Sequence, residues 1–368
     1  MPEKKILTKN CGKIDPGDVS TYEAEGGFKA LEKTLRISPE EVIAEVKASG
    51  LRGRGGAGFP CGAKWELARK SKGDEKFLIC NADEGEVGTF KDRYLLQHDP
   101  FSLMEGMAIA GYAIGAGKGY IYLRSEYHYL LEESALMNSI EGKRGESRFR
   151  PPFPPESGLF EKPTIINNVE TLVNVPHIIQ NGSEWYGAMG TDESKGTKLF
   201  CVSGDVARPG VYEMELGCDL KELVMDLAGA KEIKMIQVGG STGGIIPSDM
   251  LSTPLAYETI LGSGAVMVFD QTRDVVDFMY RTMEFLNEES CGKCTPCREG
   301  TEVMVEVLGR LVNGEGVDGD MEVLEELSDT MKLSALCGLG QTAPVPVLDT
   351  LKYFRKEYEN RISQSVFL

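Results

Sequence analysis

The feature that most constrains this chain is Ser290-Cys-Gly-Lys-Cys-Thr-Pro-Cys-Arg298, three cysteines three residues apart, with a fourth at Cys337 in Leu336-Cys-Gly-Leu-Gly340. Thiolates at C-x2-C-x2-C can wrap three irons of one cube from a tight turn, while the fourth iron takes its ligand from elsewhere. Cys291, Cys294, Cys297 and Cys337 are therefore read as the metal ligands of a 4Fe-4S cluster. Gly292, Gly338 and Gly340 let the backbone approach sulfide closely, and Lys293, Arg298 and the start of the following helix offset thiolate charge. The rival is a structural zinc site of four cysteines, which usually shows two C-x2-C pairs rather than an overlapping triplet plus one. Cys11, Cys61, Cys80, Cys201 and Cys218 stand singly and read as small buried apolar residues.

At 368 residues the chain is too long for one ordinary core and fits two or three domains. Its formal charge of -17 speaks against nucleic acid as a partner, because phosphate binding needs basic surface. No apolar run reaches the roughly 18 residues of a membrane span, so no direct membrane span is expected. The start MPEKKILTKN carries no apolar signal segment, and nine cysteines fit a reducing, cytoplasmic compartment.

The periodicity predicts a helix from Pro39 to Gly50, a glycine-rich loop from Gly53 to Gly58, a helix over Gly62–Lys70 and a strand over Lys76–Cys80. A helix over Phe101–Ile114, a strand over Gly119–Arg124 and a helix over Glu132–Glu141 continue an α/β rhythm, which the proline-rich Arg150–Ser157 breaks. Strands Lys198–Ser203 and Gly210–Met214, a helix Leu220–Leu227 and a strand Lys234–Val238 form a small α+β module. Beyond Asp270, four stripes of apolar residues at helical spacing predict a bundle.

The loop Gly53-Arg-Gly-Gly-Ala-Gly-Phe59 matches G-x-G-x-x-G but follows a helix, where a dinucleotide fingerprint requires a strand. It still offers a backbone surface that a phosphate or an aromatic ring can approach, with Lys64 close behind. Asn81, Asp83, Glu84 and Glu86 cluster at a strand end, where open α/β sheets place ligands; a solvated acidic turn would look the same. Asn167-Asn168-Val-Glu-Thr171 reads either as a helix cap or as polar contacts for a flavin. A nicotinamide delivers two electrons as a hydride and a cubane accepts one at a time, so a chain linking them needs a converter, and flavin is one.

Taken together, GRGGAGFPCGAKW, NADEGEVGTFKDR, EESALMNSIEGKRG, RPPFPPESGLFEKPTIINNVETLVNVP, ESCGKCTPCREGT and SALCGLGQTAPVPV resemble the NADH-binding flavoprotein subunit of respiratory complex I. Soluble relatives of that family occur in NAD-linked or electron-bifurcating hydrogenases and in formate dehydrogenases. The resemblance implies a Rossmann-like FMN/NADH domain over 1–190, a ubiquitin-like β-grasp domain over 191–272 and a helical iron-sulfur domain over 273–368. It implies FMN held by Gly53, Arg54, Gly55, Lys64, Asn81, Asp83, Glu84, Asn167, Asn168 and Thr171. NADH would stack on Phe59 and Phe153 and touch Glu86, Glu133 and Arg150, with Glu133 repelling the 2′-phosphate of NADPH. The implied activity is NADH oxidation or NAD+ reduction through FMN and the cluster, with no acid or base side chain required.

The implied partners are a thioredoxin-like 2Fe-2S subunit and a larger iron-sulfur or catalytic subunit of hydrogenase, formate dehydrogenase or complex I type. Through them the chain could stand at the inner face of a membrane. Two departures from the family pattern stand out. A few tens of residues ending in Gly-x-Tyr-x-Cys-Gly are missing before Glu132-Glu133-Ser134, and a smaller piece between Ile260 and Leu261. Their loss would uncover a sheet, so a break in the chain is expected within Tyr129–Ser134 and again near Ile260–Gly262, with Cα atoms well beyond about 3.8 Å apart. If the deletion is genuine, the competing reading is a flavin-free electron-transfer or scaffold subunit that keeps only the cluster.

Overall fold

The computed structural model describes residues 3–123 and 133–363. The helix Pro39–Ala48 starts at a capping box in which Glu41 N–H donates to Ser38 Oγ and Ser38 N–H to Glu41 Oε2 at 2.7 Å. Its Val42, Ile43 and Val46 are buried, and the helix Cys61–Lys70 follows the glycine loop. Strands β1 (Phe77–Ala82), β2 (Lys118–Leu123) and β3 (Thr164–Asn168) form a parallel sheet of order β2-β1-β3. Alternate residues of β1 face two apolar layers. Leu78, Cys80 and Ala82 join the core that contains the helices Pro100–Ile114 and Val169–Asn181; Phe77 and Ile79 meet Leu136, Met137 and Leu159. The register pairs Asn81 with Asn168, so the carboxyl ends of β1 and β3 finish side by side. At the sheet's edge β2 leaves Ile121 and Leu123 facing water, Leu123 being 63% exposed.

A second sheet runs β5-β4-β10-β7-β8, from β4 (Thr197–Gly204), β5 (Gly210–Glu215), β7 (Ile233–Val238), β8 (Gly244–Pro247) and β10 (Ala265–Asp270). The central pair β4 and β10 is parallel and every other pairing antiparallel. The two-residue strands β6 (Cys218–Asp219) and β9 (Pro254–Leu255) pair separately. This sheet has its own apolar cluster, from Phe200 to Val268. A third cluster lies among the helices Val275–Glu288, Thr295–Val312, Asp320–Ser334 and Val345–Glu359, the four that the apolar stripes predict. Between the last two stands the short helix Gly338–Thr342.

The structure adds elements that periodicity does not predict. The helix Val169–Asn181 continues from what reads as a mere cap, and Pro176 inside it argues against a helix on sequence alone. Lys91–His98 is helical, and β8 and β10 are short strands without alternation. The predicted helix Leu220–Leu227 is a wider π-type turn over Glu222–Leu227. The break expected within Tyr129–Ser134 falls on residues 124–132 and lies outside the described residues. Near Ile260 a closed turn stands in place of the expected break: Ile260 bridges Leu255, and Gly264 N–H donates to the Leu261 carbonyl at 3.1 Å. Among the described residues no helix is long and apolar enough to cross a membrane.

Candidate functional site

The glycine loop is closed at its base, where Gly53 N–H donates to the Phe59 carbonyl and Cys61 N–H to the Leu51 carbonyl, both at 2.9 Å. Arg54 N–H donates to Thr171 Oγ1 at 2.8 Å, which pins the loop to the start of the Val169–Asn181 helix. A Cβ on Gly55 would stand 3.1 Å from Asn168 Cβ, so a larger residue there would push the loop away from the end of β3. Lys64 Nζ donates to the Ile166 carbonyl at 2.9 Å, and Trp65 Nε1 to Asn167 Oδ1 at 2.8 Å. Asn81 Oδ1 accepts from Asp83 N–H, and the Glu84 carboxylate accepts from the Asp92 and Arg93 amides, each at 2.9 Å. The ten residues assigned to FMN thus gather at the carboxyl ends of β1 and β3. Arg54 is a special case, because its guanidinium is fully buried and committed to the Thr197, Arg52 and Lys195 carbonyls and the Tyr186 and Tyr257 hydroxyls. Only its backbone is left for a ligand.

Beneath this loop lies a buried ionic network that the sequence reading did not single out. Lys91 Nζ meets Asp92 Oδ1 at 2.7 Å, Asn168 Oδ1 at 3.2 Å and Glu170 Oε2 at 3.3 Å. Asn168 Nδ2 donates to Asp92 Oδ2 at 2.6 Å. Glu170 accepts from Lys198 Nζ and, at 2.8 Å, from Leu199 N–H. Burial alone would raise the Glu170 carboxyl, but Lys198, Lys91 and Arg54 hold it below the usual range. Burial likewise opposes charge on Lys91, and Asp92, Glu170 and Glu84 outweigh it. Burial, with Lys91 adding to it, brings Lys198 down to about 8 against the pull of Glu170.

The residues assigned to NADH lie nearer the surface. Phe59 and Phe153 are each 52% exposed, leaving ring area open to stacking. Glu86 Oε2 is buried with no hydrogen-bond partner among the described residues; burial pushes this carboxyl up, with Ser263 opposing. Such an acceptor suits a hydroxyl donor. Arg150 is exposed. The side chain of Glu133 lies outside the described residues.

Cys294 holds the N-cap position of the Thr295–Val312 helix and Cys337 that of the Gly338–Thr342 helix, which sets both residues at positive helix ends. Cys297 is buried, 3.3 Å from Ser290 Oγ, and a Cβ on Gly340 would come within 3.0 Å of its Cβ. Burial pushes the Cys297 thiol up to about 11, with Cys294, Cys337 and Cys291 adding to the effect, so the four stand close enough to sense one another. Among the described residues no three His, Cys, Asp or Glu converge tightly enough for a single metal ion. A cubane, whose four thiolates each bind a different iron, asks for a wider spacing than one zinc. The cysteine turn is docked on residues 144–149. Arg144 Nη2 donates to the Cys291 carbonyl at 3.1 Å, Lys293 Nζ donates to the Ser147 carbonyl at 2.5 Å, and Lys293 Nζ lies 5.0 Å from the Phe149 ring centre.

Fold and site define an iron-sulfur flavoprotein class. Residues 277–361 match the iron-sulfur binding region of NADH-ubiquinone oxidoreductase F, and residues 46–133 match the Nuo51 FMN-binding domain. The chain is 42% identical to an NADP-reducing hydrogenase subunit, HndC, of Solidesulfovibrio fructosivorans, over 97% of this chain and 83% of that protein. It is 41% identical to the second NADH-quinone oxidoreductase F subunit of Rhizobium meliloti strain 1021, over 98% of each. An NAD+-reducing NiFe hydrogenase in its air-oxidised state superposes with a TM-score of 0.89 at 38% identity, over 100% of this chain and 68% of that one. In the H2-reduced state the TM-score is 0.86 at 40% identity, over 90% of this chain and 64% of that one. The chain belongs to the family of NADH-quinone oxidoreductase F subunits, and its cofactors are FMN and a 4Fe-4S cluster, with NADH as substrate. An alignment of 409 residues spans only 97% of this 368-residue chain, so the HndC relative carries several tens of residues that have no counterpart here.

Proposed function

We propose that the chain is the NADH dehydrogenase, or diaphorase, module of a multisubunit oxidoreductase, working in either direction between NADH and partner iron-sulfur subunits. When bound, FMN exchanges a hydride with the nicotinamide and the 4Fe-4S cluster carries single electrons onward. The observation that carries the reading is the docking of the cysteine turn on residues 144–149, the segment leading into Arg150 and Phe153. It ties the nucleotide side of the site to the cluster side through two cations.

In this reading Gly53, Gly55, Lys64, Asn81, Asp83, Glu84, Asn167, Asn168, Thr171 and the backbone of Arg54 hold FMN. The donors and acceptors gathered there, beside a glycine edge with no side chain, suit a phosphorylated ribityl chain and a flat ring. Phe59 and Phe153 stack on NADH, Glu86 accepts from a hydroxyl, Arg150 pairs with phosphate, and Glu133 selects against a 2′-phosphate. Cys291, Cys294, Cys297 and Cys337 hold the cluster.

The domains are 1–190, Rossmann-like; 191–272, β-grasp; and 273–368, helical. Separate apolar clusters and a β5-β4-β10-β7-β8 sheet with one central parallel pair support this division. Partners are a thioredoxin-like 2Fe-2S subunit and a larger iron-sulfur or catalytic subunit, in the cytoplasm or at the inner membrane face through them. Flavin content, NADH-dependent reduction of an artificial acceptor and reduction of the cluster by NADH test the reading. A flavin-free, inactive brown protein would reject it.

A further inference from the structure

Lys198 lies under the proposed flavin site and has no part in the direct contacts. Its side chain is fully buried on β4, and Nζ donates to the Glu170 carboxylate and, at 3.1 Å, to the Arg54 carbonyl. That carbonyl belongs to the same peptide group as the Gly55 N–H, which has no partner among the described residues while Gly55 itself is exposed. A cation bonded to the carbonyl polarises the peptide and strengthens its N–H as a donor.

The charges point the same way. Lys91, Lys198 and Arg54 are three buried cations, set against the buried carboxylates of Asp92 and Glu170, with the half-buried Glu84 and the carboxyl of Glu86, whose Oε2 is buried, at the rim. Burial biases Glu84 toward its neutral form. Buried cations whose neighbouring carboxyls are biased toward neutrality favour an added anion, and the network reaches the glycine loop through the bond from Lys198 to the Arg54 carbonyl.

We propose that Lys198 is a positioning residue for FMN: through the Arg54 carbonyl it aims the Gly55 amide, and its charge favours an anionic flavin over that loop. It contributes both to retention of FMN, which carries a phosphate, and to acceptance of electrons, which adds negative charge. This rests on the assignment of the glycine loop to FMN.

The test uses the complete chain with its cluster, titrated with FMN and then poised electrochemically. Lys198→Met weakens FMN binding about tenfold and lowers the flavin midpoint potential, a tenfold change in the reduced-to-oxidised affinity ratio being about 30 mV for a two-electron couple. Glu170→Gln, which keeps the lysine and removes its counter-charge, shifts both quantities the opposite way. The double variant keeps the net charge of the network but lacks the bond to the Arg54 carbonyl, so it returns the midpoint potential toward the starting value while FMN binding stays weaker; it also serves if the single lysine variant fails to fold. Either quantity unchanged in Lys198→Met, or a double variant whose midpoint potential is as low as that of the single one, overturns the proposal. Gly55→Val separates the two levels. FMN lost there while Lys198→Met behaves as the parent rejects the lysine alone, whereas FMN retained by Gly55→Val rejects the site.

Discussion

Arg54 Nη2 donates to the Tyr186 hydroxyl at 2.8 Å, and that hydroxyl donates in turn to Asn174 Oδ1, also at 2.8 Å. The glycine loop is thereby wired to the middle of the Val169–Asn181 helix through side chains with no exposed atoms. Arg54→Ala would take a charged donor from the Thr197, Arg52 and Lys195 carbonyls and leave the Tyr186 and Tyr257 hydroxyls with only the bonds they donate. The expected cost is on the order of 3–5 kcal/mol, the scale for breaking a buried charged network. Urea unfolding of the two proteins measures it. Arg54→Lys should recover only part, because an ammonium cannot reproduce the planar fork that reaches five acceptors.

Asn168 caps its helix by accepting from Glu170 N–H at 3.1 Å and orients itself on Asp92. Asn168→Ala should cost about 1 kcal/mol as a lost cap and, more visibly, release FMN during gel filtration. Full retention of FMN would show that this asparagine only caps.

Cys297→Ser removes the most buried of the four ligands. The variant should lose the broad 4Fe-4S absorbance while keeping FMN, since Cys297 lies on the Thr295–Val312 helix, whose apolar face packs in a cluster apart from those of β1 and β3. NADH should still bleach the flavin, but transfer to a partner cluster should stop. Metal analysis giving one zinc and no iron in the parent protein would contradict the cubane.

His177 is buried in the Val169–Asn181 helix, and burial, with Lys9 adding, pushes its pKa down to about 3. The folded value lies below the ordinary value of about 6.5, so the unfolded chain binds the proton first. The contribution of neutral His177 is fully present above pH 6.5 and is lost as pH falls toward 3. Unfolding free energy should therefore decline across that window, and His177→Phe should flatten the decline by on the order of a few kcal/mol. Identical pH profiles for both proteins would remove His177 as the cause.

What could be read from the sequence follows how local each signal is. The cysteine turn is a nine-residue pattern, and its chemistry needs only spacing. The four bundle helices announce themselves because each is amphipathic over several turns. The Val169–Asn181 helix is buried nearly all round, so its periodicity vanishes, and Pro176 adds a misleading stop. The network of Lys91, Glu170 and Lys198 is spread over more than 100 positions; each residue alone looks like an ordinary surface charge. Only the approach of β4 to the end of β3 makes them one site. Arg54 is the reverse case: the sequence draws attention to it as a ligand contact, while tertiary packing turns its side chain inward.

The open edge at β2 has a practical consequence for handling the chain alone. Among the described residues β2 pairs on one side only, and such a strand beside Ile121 and Leu123 is a template for edge-to-edge stacking. The formal charge of -17 opposes that stacking by mutual repulsion between molecules. Salt shortens the reach of this repulsion to about 10 Å at 0.1 M and about 3 Å at 1 M, without weakening the strand's adhesiveness. Light scattering from the isolated chain should therefore rise with ionic strength, opposite to a protein whose copies attract through ion pairs.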